Sequence, residues 1–155
     1  MRVLSTLPLR ARLRRASDDA FILALGAQAF GEYSLNAPEH SLAMARRFPT
    51  VIALRGDQPV GFAIVQLRGS ADAALQAIAV AETERGRGVG RRLLATAEVL
   101  AAQRGARCLR LQTAEANAAA LELFRKRGFA IERKLPAYYR GVYDAVSMVK
   151  RLAAG

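Results

Sequence analysis

The residues best placed to do chemistry form one run, Ile78-Ala79-Val80-Ala81-Glu82-Thr83-Glu84-Arg85-Gly86-Arg87-Gly88-Val89-Gly90-Arg91-Arg92-Leu93. It reads as a strand, a short loop, a glycine-rich turn and the start of a helix. The first turn of a helix leaves four backbone N–H groups unpaired and carries partial positive charge, so it attracts phosphate. Glycines let the backbone approach an anion closely, and arginines add charge-assisted hydrogen bonds. Gly86, Arg87, Gly88, Val89, Gly90 and Arg91, with Arg85 before them, therefore make a candidate site for a pyrophosphate-bearing ligand. A dinucleotide fingerprint would need glycine at 91, which is Arg, and a P-loop would need Gly-Lys-Ser/Thr after the turn, which is missing. What stands is R-x-x-G-x-G, as Arg85, Gly88 and Gly90.

The elements around this turn follow from local pattern. Leu9–Arg14 alternates apolar and basic residues like a half-buried strand. Ser17-Asp18-Asp19 offers caps to a helix running to about Phe30, and Pro38 suits the first turn of a second, ending near Phe48. Val51–Arg55 and Val60–Leu67 read as a hairpin around Gly56-Asp57-Gln58-Pro59, followed by a third strand, Ala74–Val80. A helix, Val89–Arg104, is closed by Gly105, and Arg107–Thr113 is the next strand. Asn117 can cap a helix over Ala118–Arg127, which Gly128 ends. Phe129–Lys134 and Val142–Val149 are the last strands, around a loop over Leu135–Gly141. The helical crossover from Ala74–Val80 to Arg107–Thr113 makes those two strands parallel in an otherwise antiparallel sheet. The expected fold is α/β, a mixed sheet flanked by helices on both faces.

Bulk properties narrow the class. The 155 residues fit one domain over 1–155, and 52% hydrophobic with 24% charged residues is a globular composition. The one cysteine, Cys108, forms no internal disulfide and no multi-cysteine metal site, which fits a reducing, cytoplasmic setting. No apolar run reaches the roughly 20 residues of a membrane span. The net charge of +11 is unevenly spread: residues 1–84 carry 9 basic and 8 acidic side chains, residues 85–155 carry 15 and 5. The excess begins at Arg85, so the partner of that half is expected to be an anion. Nucleic acid is not needed to explain it, since no RNA- or DNA-binding signature is present. Basic residues are 21 Arg against 3 Lys, a bias that accounts for arginines away from the turn.

Strand, glycine-arginine turn and helix together resemble the acetyl-CoA pyrophosphate loop of the GNAT N-acetyltransferase superfamily. A second block, Leu109-Arg110-Leu111-Gln112-Thr113-Ala114-Glu115-Ala116-Asn117-Ala118-Ala119-Ala120-Leu121-Glu122-Leu123-Phe124-Arg125-Lys126-Arg127-Gly128-Phe129, is similar to that family's strand, Asn-capped helix and closing Gly-Phe. With Tyr138-Tyr139-Arg140-Gly141-Val142-Tyr143-Asp144-Ala145-Val146-Ser147-Met148 it most resembles the RimI-type protein N-terminal acetyltransferases. The resemblance covers Leu75–Met148 strongly and Leu9–Leu67 mainly in element order.

The resemblance implies acetyl-CoA as acetyl donor and an amine, from a peptide N-terminus or a small molecule, as acceptor, in a monomer or homodimer. It implies that Ile78, Ala79 and Val80 offer backbone groups to the pantetheine arm and acetyl carbonyl, that Gly86 through Arg91 hold the pyrophosphate, and that Asn117 contacts the arm. Tyr138 and Tyr139 match tyrosines on the acceptor side, where one could supply a proton to the departing thiolate. Glu32-Tyr33 falls where the family builds its substrate lip. The chain departs from the pattern at two positions. Gln112 stands where RimI-type enzymes have a glutamate base, and Phe124 where they have a tyrosine acid; Phe124 is still expected to face the cofactor. Glu82 and Glu84 are candidate bases through water, though such loop residues are more often solvated. Cys108 reads as a core residue, His40 as a surface one and Tyr143 as structural.

A missing base bears on the acceptor. An α-amine has a pKa of about 7.7–8.0, so its neutral form costs about 1 kcal/mol at pH 7; a lysine at about 10.4 costs about 4.6 kcal/mol. An α-amine or another low-pKa amine is the acceptor such a site tolerates. A protein that binds CoA without transferring its acetyl group is the competing reading.

Overall fold

The computed structural model describes residues 7–31 and 37–153. Seven strands form one sheet: β1 Leu9–Leu13, β2 Thr50–Arg55, β3 Gln58–Arg68, β4 Asp72–Val80, β5 Cys108–Ala114, β6 Ala130–Tyr139 and β7 Tyr143–Arg151. Four α-helices accompany them: α1 Asp19–Phe30, α2 Ala37–Arg47, α3 Val89–Gln103 and α4 Ala118–Lys126. The sheet order is β1-β2-β3-β4-β5-β7-β6. All neighbours are antiparallel except β4 and β5, joined by the α3 crossover. Among the described residues no helix is long and apolar enough to cross a membrane.

Alternation along the strands divides the apolar residues between two faces. Val51, Ala63, Val65, Leu75, Leu109 and Met148 pack against Val89, Leu93, Leu94 and Ala97 of α3 and Phe124 of α4. On the other face Ile52, Leu54, Phe62 and Ile64 meet Ile22 and Leu25 of α1 and Ala45 of α2. The central strand β3 is buried on both faces, which is why Gly61–Val65 reads as an apolar run with little alternation.

Three boundaries differ from the sequence reading. The hairpin turn is shorter, because Pro59 pairs with Leu54 inside the ladder and only Gly56-Asp57 turns. The expected loop Leu135–Gly141 is mostly strand, since β6 continues to Tyr139 across an irregularity between Leu135 and Tyr139. Ala137 there takes a left-handed φ of 52°, held by its N–H donating across the hairpin to Asp144 Oδ1 at 2.8 Å. Val142 accordingly lies in the turn and is exposed.

The third difference is at the head of α1. Asp18 makes no side-chain cap to that helix. Its carboxylate instead accepts two bonds from the Arg12 guanidinium, at 2.7 and 3.1 Å, and one from the Arg15 N–H at 2.8 Å. Asp18 is only 2% exposed, so the pair fastens β1 to the helix on its flank. The Arg12 bond, outweighing burial and aided by the Arg15 N–H, holds the Asp18 carboxyl below its ordinary range. A carboxyl lowered in this way adds stability above its unfolded pKa of about 4 and loses it as pH falls through the folded value. Asp18→Asn is therefore expected to cost about 1.5–3 kcal/mol in denaturant unfolding at pH 7. The gap to the parent protein should narrow steadily when the same unfolding is repeated below pH 4.

Candidate active site

The site begins with a failure of pairing. β4 and β5 are paired from Asp72 with Cys108 to Leu75 with Leu111, and there the ladder stops. β4 remains bonded to β3 as far as Val80 opposite Gly61, while β5 remains bonded to β7 as far as Ala114 opposite Ala145. The two strands diverge because each follows its outer neighbour. The register of β3 with β4 shifts between Ile64 and Val65, opposite Ala77 and Leu75, where the separation starts. A bulge bends its strand and increases local twist, and here it turns β4 away from β5. The inner edge of Gln76–Val80 is left without a ladder partner, and unpaired N–H and C=O groups of this kind seek a partner.

A cavity of about 750 Å³ fills the opening. Ile78, Asn117 and Phe124 line it on the side of α4, and His40, Ser41 and Met44 on the side of α2. Tyr138, Tyr139 and Gln112 lie over its β5–β6 end. Asn117 caps α4, its Oδ1 accepting from the Ala120 N–H at 3.1 Å, and this leaves its amide nitrogen for a ligand. Phe124 is 3% exposed, edge-on to Phe129 at 5.9 Å, and presents the cavity with a hydrocarbon surface and no donor. The Tyr138 hydroxyl donates to Gln112 Oε1 at 2.6 Å, and the Tyr138 and Tyr139 rings meet edge-on at 5.0 Å. Glu32 and Tyr33 lie outside the described residues.

The glycine-arginine turn follows β4 directly. Gly86 and Gly88 have φ of 75° and 87°, left-handed values that favour glycine. An ideal Cβ built on either would meet nothing within 4 Å, so both face open space from which an anion can reach the backbone. Gly88 is the residue before the first turn of α3. Arg85, Arg87 and Arg91 are exposed around it. Val89 is 1% exposed and anchors the turn through its side chain. Gly90 serves packing: a Cβ there would come within 3.1 Å of Leu123 Cδ2, so its absence lets α4 lie close to α3.

Of the candidate carboxylates, Glu82 is exposed, but Glu84 is not the solvated loop charge the sequence suggests. It is 7% exposed and accepts from Arg55 Nη2 at 3.0 Å and Nε at 3.3 Å. That pair joins the end of β2 to the loop that carries the turn. Sequence reasoning missed Arg55, and the available signal was a basic residue closing the apolar run Val51–Leu54. Cys108 is half-buried. Ile78 lines the cavity, while Ala79 packs on the α1 side and Val80 on the α3 side, so along β4 the element common to all three is the unpaired backbone.

These residues suit acetyl-CoA: an open anion-binding turn, an unpaired strand edge matched to an amide-bearing arm, and a cleft ending at polar side chains. Known proteins agree. The family model of the acetyltransferase (GNAT) family matches residues 13–129. No curated protein sequence matches the chain. Among solved structures, the chain is similar to the ribosomal-protein-S18-alanine N-acetyltransferase of Escherichia coli, with TM-score 0.81, 22% identity and 96% of each chain covered. It is similar to the ribosomal-protein-alanine N-acetyltransferase of Brucella melitensis, with TM-score 0.80, 26% identity, and 92% of this chain and 99% of that one covered. A Salmonella typhimurium protein solved with its cofactor acetyl-CoA matches with TM-score 0.81, 19% identity and 96% of each chain covered. With the family model spanning most of the sheet and the glycine-arginine turn, the chain belongs to the acetyltransferase (GNAT) family, whose acetyl donor is acetyl-CoA.

Proposed function

We propose that the protein transfers the acetyl group of acetyl-CoA to an α-amine, on a peptide N-terminus or a small molecule, by direct attack with donor and acceptor bound together. The observation that carries this reading is the divergence of β4 and β5 beside an open phosphate-binding turn. It lets donor and acceptor meet from opposite sides of the sheet. The backbone N–H groups of Gly86–Gly90 and the guanidiniums of Arg85, Arg87 and Arg91 hold the pyrophosphate. The free edge of Ile78–Val80 pairs with the pantetheine arm and orients the acetyl carbonyl, and the Asn117 amide steadies the arm. The thioester supplies an activated carbonyl and a leaving thiolate.

The chain's own groups do modest proton work. Gln112 does not ionise, but its carbonyl fixes the Tyr138 hydroxyl at 2.6 Å. Tyr138 and Tyr139 sit at the acceptor end, where a hydroxyl can position the amine or hand a proton to the thiolate. The thiolate, with a conjugate pKa near 8.5, leaves acceptably without much help. The acceptor's own basicity therefore decides the rate.

Two outcomes are expected. With acetyl-CoA and a mixed peptide and small-amine library, mass spectrometry should find acetylated α-amines and little acetylated lysine. At pH 7 the difference in deprotonation cost corresponds to roughly two to three powers of ten in rate. The pH profile of kcat/KM should follow the titration of the acceptor amine and move when an amine of lower pKa is substituted. CoA binding without transfer to any amine from pH 6 to 9 would overturn the enzymatic reading in favour of a CoA-binding protein. Gly88→Glu puts a carboxylate into the open space of the turn. It should abolish CoA binding in calorimetry while leaving the unfolding midpoint within a few degrees of the parent's.

A further inference from the structure

We infer that the acceptor carries a carboxylate or another anionic group close to its amine. The inference rests on the acetyl-transfer reading above and deepens it. Its basis is the charge of the cavity wall on the acceptor side. Gln112 pairs across β5–β7 with Ser147, and Ser147 pairs across β7–β6 with Arg133. Residues directly opposite in antiparallel strands share a face, so Gln112, Ser147 and Arg133 form one row pointing into the cavity they all line. Two strand spacings separate the ends of this row, about 10 Å between backbones. An arginine side chain is long enough to lean back over Ser147 toward the place where Gln112 and Tyr138 meet the amine. Arg68, at the end of β3, lines the same cavity from the opposite wall.

What these guanidiniums face matters more than their number. Among the described residues the one carboxylate lining the cavity is Glu132, and both of its oxygens are engaged by Arg110, at 3.2 and 3.3 Å. Arg110 also donates to Asp72 at 2.9 Å, so its charge is answered twice. Among the described residues Arg68 reaches only the neutral side-chain oxygen of Gln66, at 3.5 Å, and Gln66 is already bonded to Gln76. Neither Arg68 nor Arg133 has a carboxylate partner among the described residues. A polyamine, an aminoglycoside or a lysine-rich tail would meet two uncompensated cations and, among the described residues, no available anion. An amine with an adjacent carboxylate would answer them and be held with its nitrogen toward Gln112. That carboxylate has two sources, the α-carboxylate of a free amino acid or an acidic side chain next to a peptide's N-terminus.

The full-length protein and acetyl-CoA are assayed for thiol release with two acceptor series. One is alanine against alaninamide. The other is a C-terminally amidated tetrapeptide starting with alanine, with Asp, Asn or Lys at the second position. The anionic member of at least one series should exceed its neutral and cationic partners in kcat/KM, taken per neutral amine, by about tenfold, and by more at low ionic strength. The series that responds identifies the source of the anion. Arg68→Gln and Arg133→Gln, both at exposed positions, should together bring that ratio close to one. Equal use of all charges, preference for a cationic acceptor, or a ratio that survives both substitutions would overturn the inference and leave acetyl transfer standing. Failure to acetylate any member, with acetyl-CoA binding confirmed by calorimetry, would overturn acetyl transfer itself and this inference with it.

Discussion

Everything functional in this molecule depends on two strands parting. A parallel pair inside a mixed sheet is ordinarily buried and continuous. Here it lasts four residues, from Asp72 to Leu75 on β4, and then each strand is captured by its outer neighbour. Such a break exposes backbone groups in the middle of a sheet, where an unpaired donor or acceptor costs free energy comparable to a lost hydrogen bond. It persists because β4 is anchored along its other edge as far as Val80, and β5 as far as Ala114. On the proposed reading the unpaired edge is both the cost of the break and the means of binding. A ligand with amides at strand spacing restores the missing bonds, so affinity for such an arm is built into the sheet before any side chain contributes.

The turn that follows must stay open to an anion while its ends are held firmly. Glycines at 86 and 88 give the openness, and three attachments give the firmness: Val89 in the core, Gly90 against Leu123, and Glu84 buried on Arg55. The last places a carboxylate in the loop that leads into the proposed pyrophosphate turn. Paired with Arg55 it adds no net charge, and the exposed arginines after it keep the turn positive. Elsewhere the same economy recurs. Glu98, 8% exposed, is shared by Arg127 and Lys150, tying α3 to the end of α4 and to β7. Much of the basic half is thus committed to structure, and the net charge of +11 overstates how much is free to meet a ligand.

Local signals made most of this legible in the sequence. Periodicity locates the seven strands and four α-helices of the described residues, and the turn chemistry at Gly86–Gly90 points to phosphate. The main failures are cases where one residue's partner lies on a different element, whether six, seven or 29 positions away in the chain. Asp18 looks like a helix cap but serves Arg12 across a corner of the fold. Glu84 looks solvated but is buried on Arg55, 29 positions away. The strand beyond Pro136 looks like a loop because its continuation depends on Asp144 catching the Ala137 N–H. The acceptor wall was invisible for the same reason. Arg68 and Arg133 are unremarkable in sequence, and only the register of five strands, β3 through β6 in sheet order, puts them around one cavity.

The polar centre of the site shows how register also limits chemistry. Gln112 and Tyr138 are bonded to each other, and the Gln112 amide carries no charge. A carboxylate at position 112 would add negative charge where Arg133 and Arg68 already favour an acceptor's own carboxylate. The two anions would then compete for the same cations. With a neutral amide there, the arginines remain available, and orientation of the amine replaces its deprotonation as the main contribution of the wall. Proximity and alignment of reacting groups can be worth as much as acid–base help. The departures at Gln112 and Phe124 are, on this view, consistent with one design. Proton transfer is left to an acceptor amine weakly basic enough to be partly neutral at physiological pH, and the protein spends its side chains on holding that acceptor in place.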